Sequence, residues 1–172
     1  MEGAIVKTLS LFLFVMLSIS QAFAGEGFSH KHLNLDLPAG WTAHPAKPSA
    51  EPHLGTIKSS SMAGTSITLD CYRGAFHTHT STRIRGLKTI AAAYPAGQEL
   101  VKKKHKIKSK KGKGTWESWK GYVKVGDLTV ALSSPMANIK TPHCWLVAIG
   151  YTAESNSAQL EKEFLTIIKS AR

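Results

Sequence analysis

Between Lys102 and Lys113, eight of twelve residues are lysine and another is His105, and Trp116, Trp119 and Tyr122 follow directly. Ammonium groups at this density can do one obvious kind of chemistry, which is to bind anions. Were the segment a regular strand, Lys102, Lys104, Lys106, Lys108 and Lys110 would stand on one face. Lys103, His105 and Ile107 would take the other, because side chains alternate along a strand. Like charges in a row repel each other, and a bound anion relieves that repulsion. Phosphates of nucleic acid or lipopolysaccharide, or an acidic protein, are the expected partners, bound in a salt-dependent manner. Trp116 and Tyr122 would share a face and could stack on bases or sugars. The competing reading is structural. Lysines blunt exposed sheet edges against aggregation, "KSKKGKG" has the composition of a solvated hairpin tip, and a tryptophan often belongs to the core.

The histidines offer a second chemistry. "HKH" (His30, His32) and "HTH" (His77, His79) each place two imidazoles on one side of an extended chain, a spacing that can chelate copper or zinc. Eight histidines make such pairs common by chance, and no carboxylate is fixed beside them by spacing. Nucleophile and metalloprotease signatures are absent: there is no G-x-S-x-G, H-E-x-x-H or C-x-x-C, and "KGKGT" lacks the order of a phosphate-binding loop. No catalytic residues and no cofactor are expected, and a hydrolase site assembled only in space ranks last.

The elements that must position these groups follow from periodicity. Residues 1–24 read as a cleavable signal peptide, with Lys7, the apolar run "TLSLFLFVMLSIS" and the small-residue site Ala22-Phe23-Ala24. The expected product is periplasmic or secreted, without a transmembrane segment after cleavage. Residues 25–172 then form a single domain that carries the +11 formal charge. Export also argues against nucleic acid as the partner. Cys71 and Cys144 could pair in an oxidising compartment or remain as buried thiols. Pairing would close a long loop, stabilising by roughly 4 kcal/mol at most in the chain-entropy model.

Alternation from Phe28 through Leu33, Leu35 and Leu37 predicts a first strand, and "TAHPAKPSAEPH" reads as a proline-rich loop. "LGTIKSS" and "TSITLDCYR" are strand-like, and "DLTVAL" puts Leu128, Val130 and Leu132 on one face. "HCWLVAIGYT" is apolar on both faces, as a central strand requires. Between them, Ile84, Leu87, Ala91 and Tyr94 predict a helix capped by Ser81 or Thr82. Leu160, Phe164, Ile167, Ile168 and Ala171 predict a closing helix, with Asn156 and Gln159 spaced as a capping box. Strands joined by short turns favour antiparallel pairing, hence an α+β sandwich.

This layout resembles the PsbP-like superfamily, which includes bacterial periplasmic DcrB-type proteins. The residues that carry the likeness are "LDLPAGW" (Leu35 to Trp41), "IRGLKTIAAAY" and the closing "EKEFLTIIKSAR". The resemblance implies a twisted antiparallel sheet with helices packed on both faces, an α/β/α sandwich. It also implies an extrinsic or partner-binding role rather than catalysis. Neither the lysine segment nor the histidines belong to that likeness, and a fold alone fixes no function. The reading is therefore an exported, non-enzymatic binding or accessory protein that contacts an acidic partner or polyanion. A periplasmic metal-binding protein using the His-x-His pairs is the alternative.

Overall fold

A strand that is apolar on both faces has to be covered on both, and the segment Trp145–Ala153 (β9) organises the chain around that need. The computed structural model describes residues 27–30 and 33–172; the leader read at 1–24 and His32 lie outside them. A two-stranded hairpin, β1 (Gly27–His30) and β2 (Leu33–Asp36), precedes a seven-stranded antiparallel sheet. That sheet comprises β3 (Trp41–Pro45), β4 (His53–Ser59), β5 (Ser66–Tyr72), β6 (Gln98–Ser109), β7 (Gly112–Val125), β8 (Leu128–Lys140) and β9. Its spatial order is β3-β4-β5-β9-β8-β7-β6, so β9 is the middle strand. Helix α1 (His79–Ala93) packs on one face of the sheet, and α2 (Ser157–Lys169) packs on the other with the β1–β2 hairpin. The architecture is α+β, with helices on both sides of the sheet.

On the α2 face, Leu146 and Ala148 of β9 join Ile67 and Leu69 of β5, and Leu160, Phe164, Ile167 and Ile168 of the helix close over them. On the α1 face, Val147 and Ile149 meet Met136, Ile90 and Tyr94. Burying a large aliphatic or aromatic side chain stabilises by about 1.5–3 kcal/mol, so these two layers carry the fold. A disulfide joins Cys71 at the end of β5 to Cys144 just ahead of β9. The C-terminal residues are stitched to the hairpin: Asn34 and Arg172 exchange backbone hydrogen bonds of 2.9 and 3.2 Å.

Several local expectations are corrected. The first strand is broken into the β1–β2 hairpin, which still buries Phe28, His30, Leu33 and Leu35. The proline-rich segment holds β3, and Pro45 is tolerated there because β3 is an edge strand with no ladder to feed on its outer side. Helix α1 begins earlier than expected, at His79. Thr78 is its N-cap, and Thr78 and Ser81 form a reciprocal capping box. Its buried stripe is Thr82, Gly86 and Ile90, not Ile84, which is exposed. The helix lies so close to the sheet that a Cβ on Gly86 would stand 2.5 Å from the Met136 sulfur, so small residues face inward. Asn156 does precede α2 but makes no side-chain cap; Gln159 donates instead to Glu163, one turn along. Leu128 and Val130 are exposed because the β7–β8 hairpin runs on past the end of α1.

Tyr94 ends α1 by lying flat on Gly121 of β7, where a Cβ would overlap its ring. Its hydroxyl meets Ser134 at 2.5 Å. Gly121→Ala is therefore expected to destabilise the protein by about 1–3 kcal/mol through overpacking, read as a lower urea midpoint with an unchanged slope.

Candidate functional site

The lysine strand β6 does not alternate regularly. Pairing with β7 runs Leu100 to Trp119, Lys102 to Ser118 and His105 to Trp116, with irregularities on both sides of Lys102. Each bulge adds a residue to β6 against β7, and an odd insertion exchanges the faces of everything beyond it. Lys102 accordingly points to the α2 face, where it meets Glu161 at 2.5 Å. Beyond the second bulge the lysines are on the opposite side. Lys106 pairs with Thr115 and Lys108 with Lys113, and Thr115 bonds a side chain of α1. The single-faced ladder is thus corrected: Lys102 is separated from Lys106 and Lys108. Lys110 lies in the turn after β6, bound to Asp36 at 2.7 Å.

Several expected contact groups are already engaged. Trp116 is half-buried on the α2 face, stacked on His105 at 5.3 Å, with the Lys102 ammonium 5.9 Å from its ring. The Tyr122 hydroxyl donates to Glu99 at 2.9 Å. Lys110 and Arg172 both bond Asp36 and hold its carboxyl below the usual carboxylate range.

The α1 face gathers a different set. Register places Lys108, Lys113, Lys140 and Trp145 in one row across β6, β7, β8 and β9. The next row is Lys106, Thr115, Asn138 and Val147. Lys106, Lys108, Lys113 and Lys140 are exposed, and the Lys140 ammonium sits 5.9 Å from the Trp145 ring. Like charges directly opposite each other on neighbouring strands are destabilising, so three lysines in register form a cationic shelf that an anion would relieve. Lys113 closes the lysine segment read from sequence, but Lys140 and Trp145 were not singled out. Their spacing along the chain carries no signal, since only register brings them together.

Beside the shelf, a buried polar network fixes the start of α1. Asn138 donates to the His79 carbonyl and to the Thr82 hydroxyl, each at 2.9 Å. The His79 ring meets the Thr115 hydroxyl at 2.8 Å. Arg83 grips Glu117 with two bonds, of 2.9 and 2.8 Å, and Glu117 is only 3 % exposed. Burial lowers the His79 pKa, and the positive charges of Lys104 and Arg83 push it the same way against Glu117.

The His77 and His79 rings are separated by this geometry. His77 lies ahead of the Thr78 cap against the Phe76 and Tyr72 rings, whereas His79 opens the helix and packs edge-on to Trp145. The extended His-x-His chelate at 77–79 is corrected to a helix start. His30 is buried in the β1–β2 hairpin. Among the described residues no group of three or more His, Cys, Asp or Glu side chains is placed to hold a metal ion.

The sheet order and the helices on its two faces define a PsbP-like fold, and solved structures bear that out. The chain is similar to cyanobacterial PsbP (CyanoP) from Synechocystis: the TM-score is 0.57 and the identity 15 %, over 87 % of this chain and 92 % of that one. It is also similar to LpqN, a protein involved in cell envelope biogenesis of Mycobacterium tuberculosis. There the TM-score is 0.52 and the identity 12 %, over 86 % of this chain and 83 % of that one. At these identities the likeness is one of fold. No protein-family model matches the chain, and no curated protein sequence does either.

Two outcomes follow from the network. Arg83→Met leaves Glu117 buried without its partner and is expected to cost about 3–5 kcal/mol in denaturant unfolding, most of it regained in Arg83→Met/Glu117→Leu. The folded state holds the His79 pKa below its unfolded value. The unfolded chain then binds more protons as pH falls below about 6.5, so this contribution is complete above that pH and is lost toward the folded pKa. Melting temperature should accordingly drop more between neutral pH and pH 5 in the parent protein than in His79→Gln.

Proposed function

We propose that the chain is an exported, non-enzymatic binding or accessory protein whose α1 face receives an anionic partner. The observation that carries this reading is the in-register row Lys108, Lys113 and Lys140, flanked by Trp145 and by the start of α1. A +11 chain draws anions from a distance, and the row concentrates that charge where ammonium groups face one another across strands. Trp145 adds a half-buried ring at the end of the row, suited to the apolar or sugar portion of such a partner. Support for export comes from the leader-like pattern at 1–24 and from the Cys71–Cys144 disulfide, which suits an oxidising compartment. Among the described residues no helix is long and apolar enough to cross a membrane.

The test is binding of heparin, lipopolysaccharide and duplex DNA by the full chain between about 50 and 200 mM salt. Affinity should fall steeply as salt rises. Lys108→Ala/Lys113→Ala/Lys140→Ala should flatten the log–log slope by roughly 0.7–0.9 for each phosphate or sulfate that is no longer neutralised. Lys102→Ala/Lys110→Ala, which removes lysines already paired with carboxylates, should leave the slope nearly unchanged. Salt-insensitive binding, or none to any of the three, would reject the reading.

A further inference from the structure

The opposite face of the sheet carries a concavity of about 340 Å³ between β6–β8 and the start of α2. Its floor is Ser118 of β7 and Ser133 of β8, both buried. Two ion pairs form its walls, each joining sheet to helix end. Lys102 meets Glu161 of α2 at 2.5 Å, and Lys120 meets Glu154, in the 3-10 turn before α2, at 2.6 Å. Glu99, Val101, Ser157 and Ala158 complete the rim, and Glu99 accepts the Tyr122 hydroxyl. Aromatic rings stand behind both lysines, Trp116 beneath Lys102 and Tyr122 beneath Lys120, at 5.9 and 5.7 Å.

This lining is selective in an unusual way. It holds three carboxylates and two ammonium groups, and each ammonium is already matched to a carboxylate. An added anion would face Glu99, Glu154 and Glu161. An added cation would find two of those carboxylates already held by lysines and the third, Glu99, exposed, screened by solvent and holding the Tyr122 hydroxyl. A neutral ligand rich in hydroxyl groups meets neither penalty, because each O–H can donate to a carboxylate and accept from an ammonium or a serine. Glu161 offers the cleft its Oε2, since Oε1 is buried without a hydrogen-bond partner. The volume falls in the range of small-molecule sites and gives room for one or two sugar rings.

We propose that this cleft is a binding site for a neutral polyhydroxylated ligand of saccharide type. Its polar atoms bridge the Lys102–Glu161 and Lys120–Glu154 pairs, and its hydroxyls reach Ser118 and Ser133. The site is separate from the lysine shelf, so the two stand or fall independently.

The test titrates the full chain with glucose, N-acetylglucosamine, maltose and cellobiose. Citrate and spermidine serve as charged probes, and binding is followed by calorimetry and by intrinsic tryptophan fluorescence. At least one neutral sugar should bind saturably, and citrate and spermidine should not compete for it. Ser133→Val, which fills the floor without touching an ion pair, should weaken binding about tenfold or more, as should Glu161→Gln. Thermal melts of both variants separate impaired binding from impaired folding, and Ser118→Ala provides a milder third variant. The proposal fails if none of the four sugars binds, if binding is equal in folded Ser133→Val and Glu161→Gln to that of the parent, or if citrate or spermidine displaces the sugar.

Discussion

Burial of β9 on both of its faces is the constraint from which the other placements follow. A strand with Leu146 and Ala148 on one side and Val147 and Ile149 on the other is stable only between two apolar layers, which puts it at the centre of the sheet. Helix α2 and the β1–β2 hairpin cover one side with large aliphatic and aromatic residues. Helix α1 covers the other with a thinner layer that relies on Gly86, Ile90 and Tyr94. That helix is also anchored by polar bonds from Asn138, Thr115 and Glu117.

That asymmetry separates two chemistries across one sheet. On the α1 side, the helix covers only part of the strands, and the uncovered ends of β6, β7 and β8 present lysines in register beside its first turn. On the α2 side, Glu154 of the 3-10 turn before the helix and Glu161 of the helix itself lie over lysines of the same strands and neutralise them in pairs. The bulges in β6 divide the lysine run between the two environments. Lys102 is drawn into the paired, mixed-charge cleft, while Lys106 and Lys108 remain on the cationic shelf. A charge run that looks uniform along the chain is therefore two surfaces, and a simple polyanion site would use only part of it.

Much of the fold was legible in the residues. The stripe Leu160, Phe164, Ile167 and Ile168 lies on the buried face of α2, and the doubly apolar segment at 145–153 is the middle strand. Signals of that kind are local and redundant, so a single misread residue does not undo them. Helix α1 was read less well. Its sheet-facing stripe is built from Thr82 and Gly86, which are chosen for close approach rather than hydrophobicity. The reading from apolar periodicity put Ile84 inward, although it is exposed. The β3 strand was hidden by Pro45 and the prolines that follow it, and an edge strand accepts Pro45.

The candidate site was the least legible part, for a reason that also marks the boundary between sequence and tertiary structure. By itself the sequence determined the composition of the chemistry: a lysine-dense segment, no recognisable catalytic motif, and an α+β layout with two helices. These depend on residue type and on spacing within one element. Which lysines share a face depends on strand register, and register was reset by bulges that leave no mark in an already alternating run. Which lysines carry unmatched charge depends on Asp36, Glu154 and Glu161, brought to them from distant parts of the chain. The row Lys108, Lys113, Lys140 and Trp145 exists only where four strands lie side by side, so tertiary structure alone decided it.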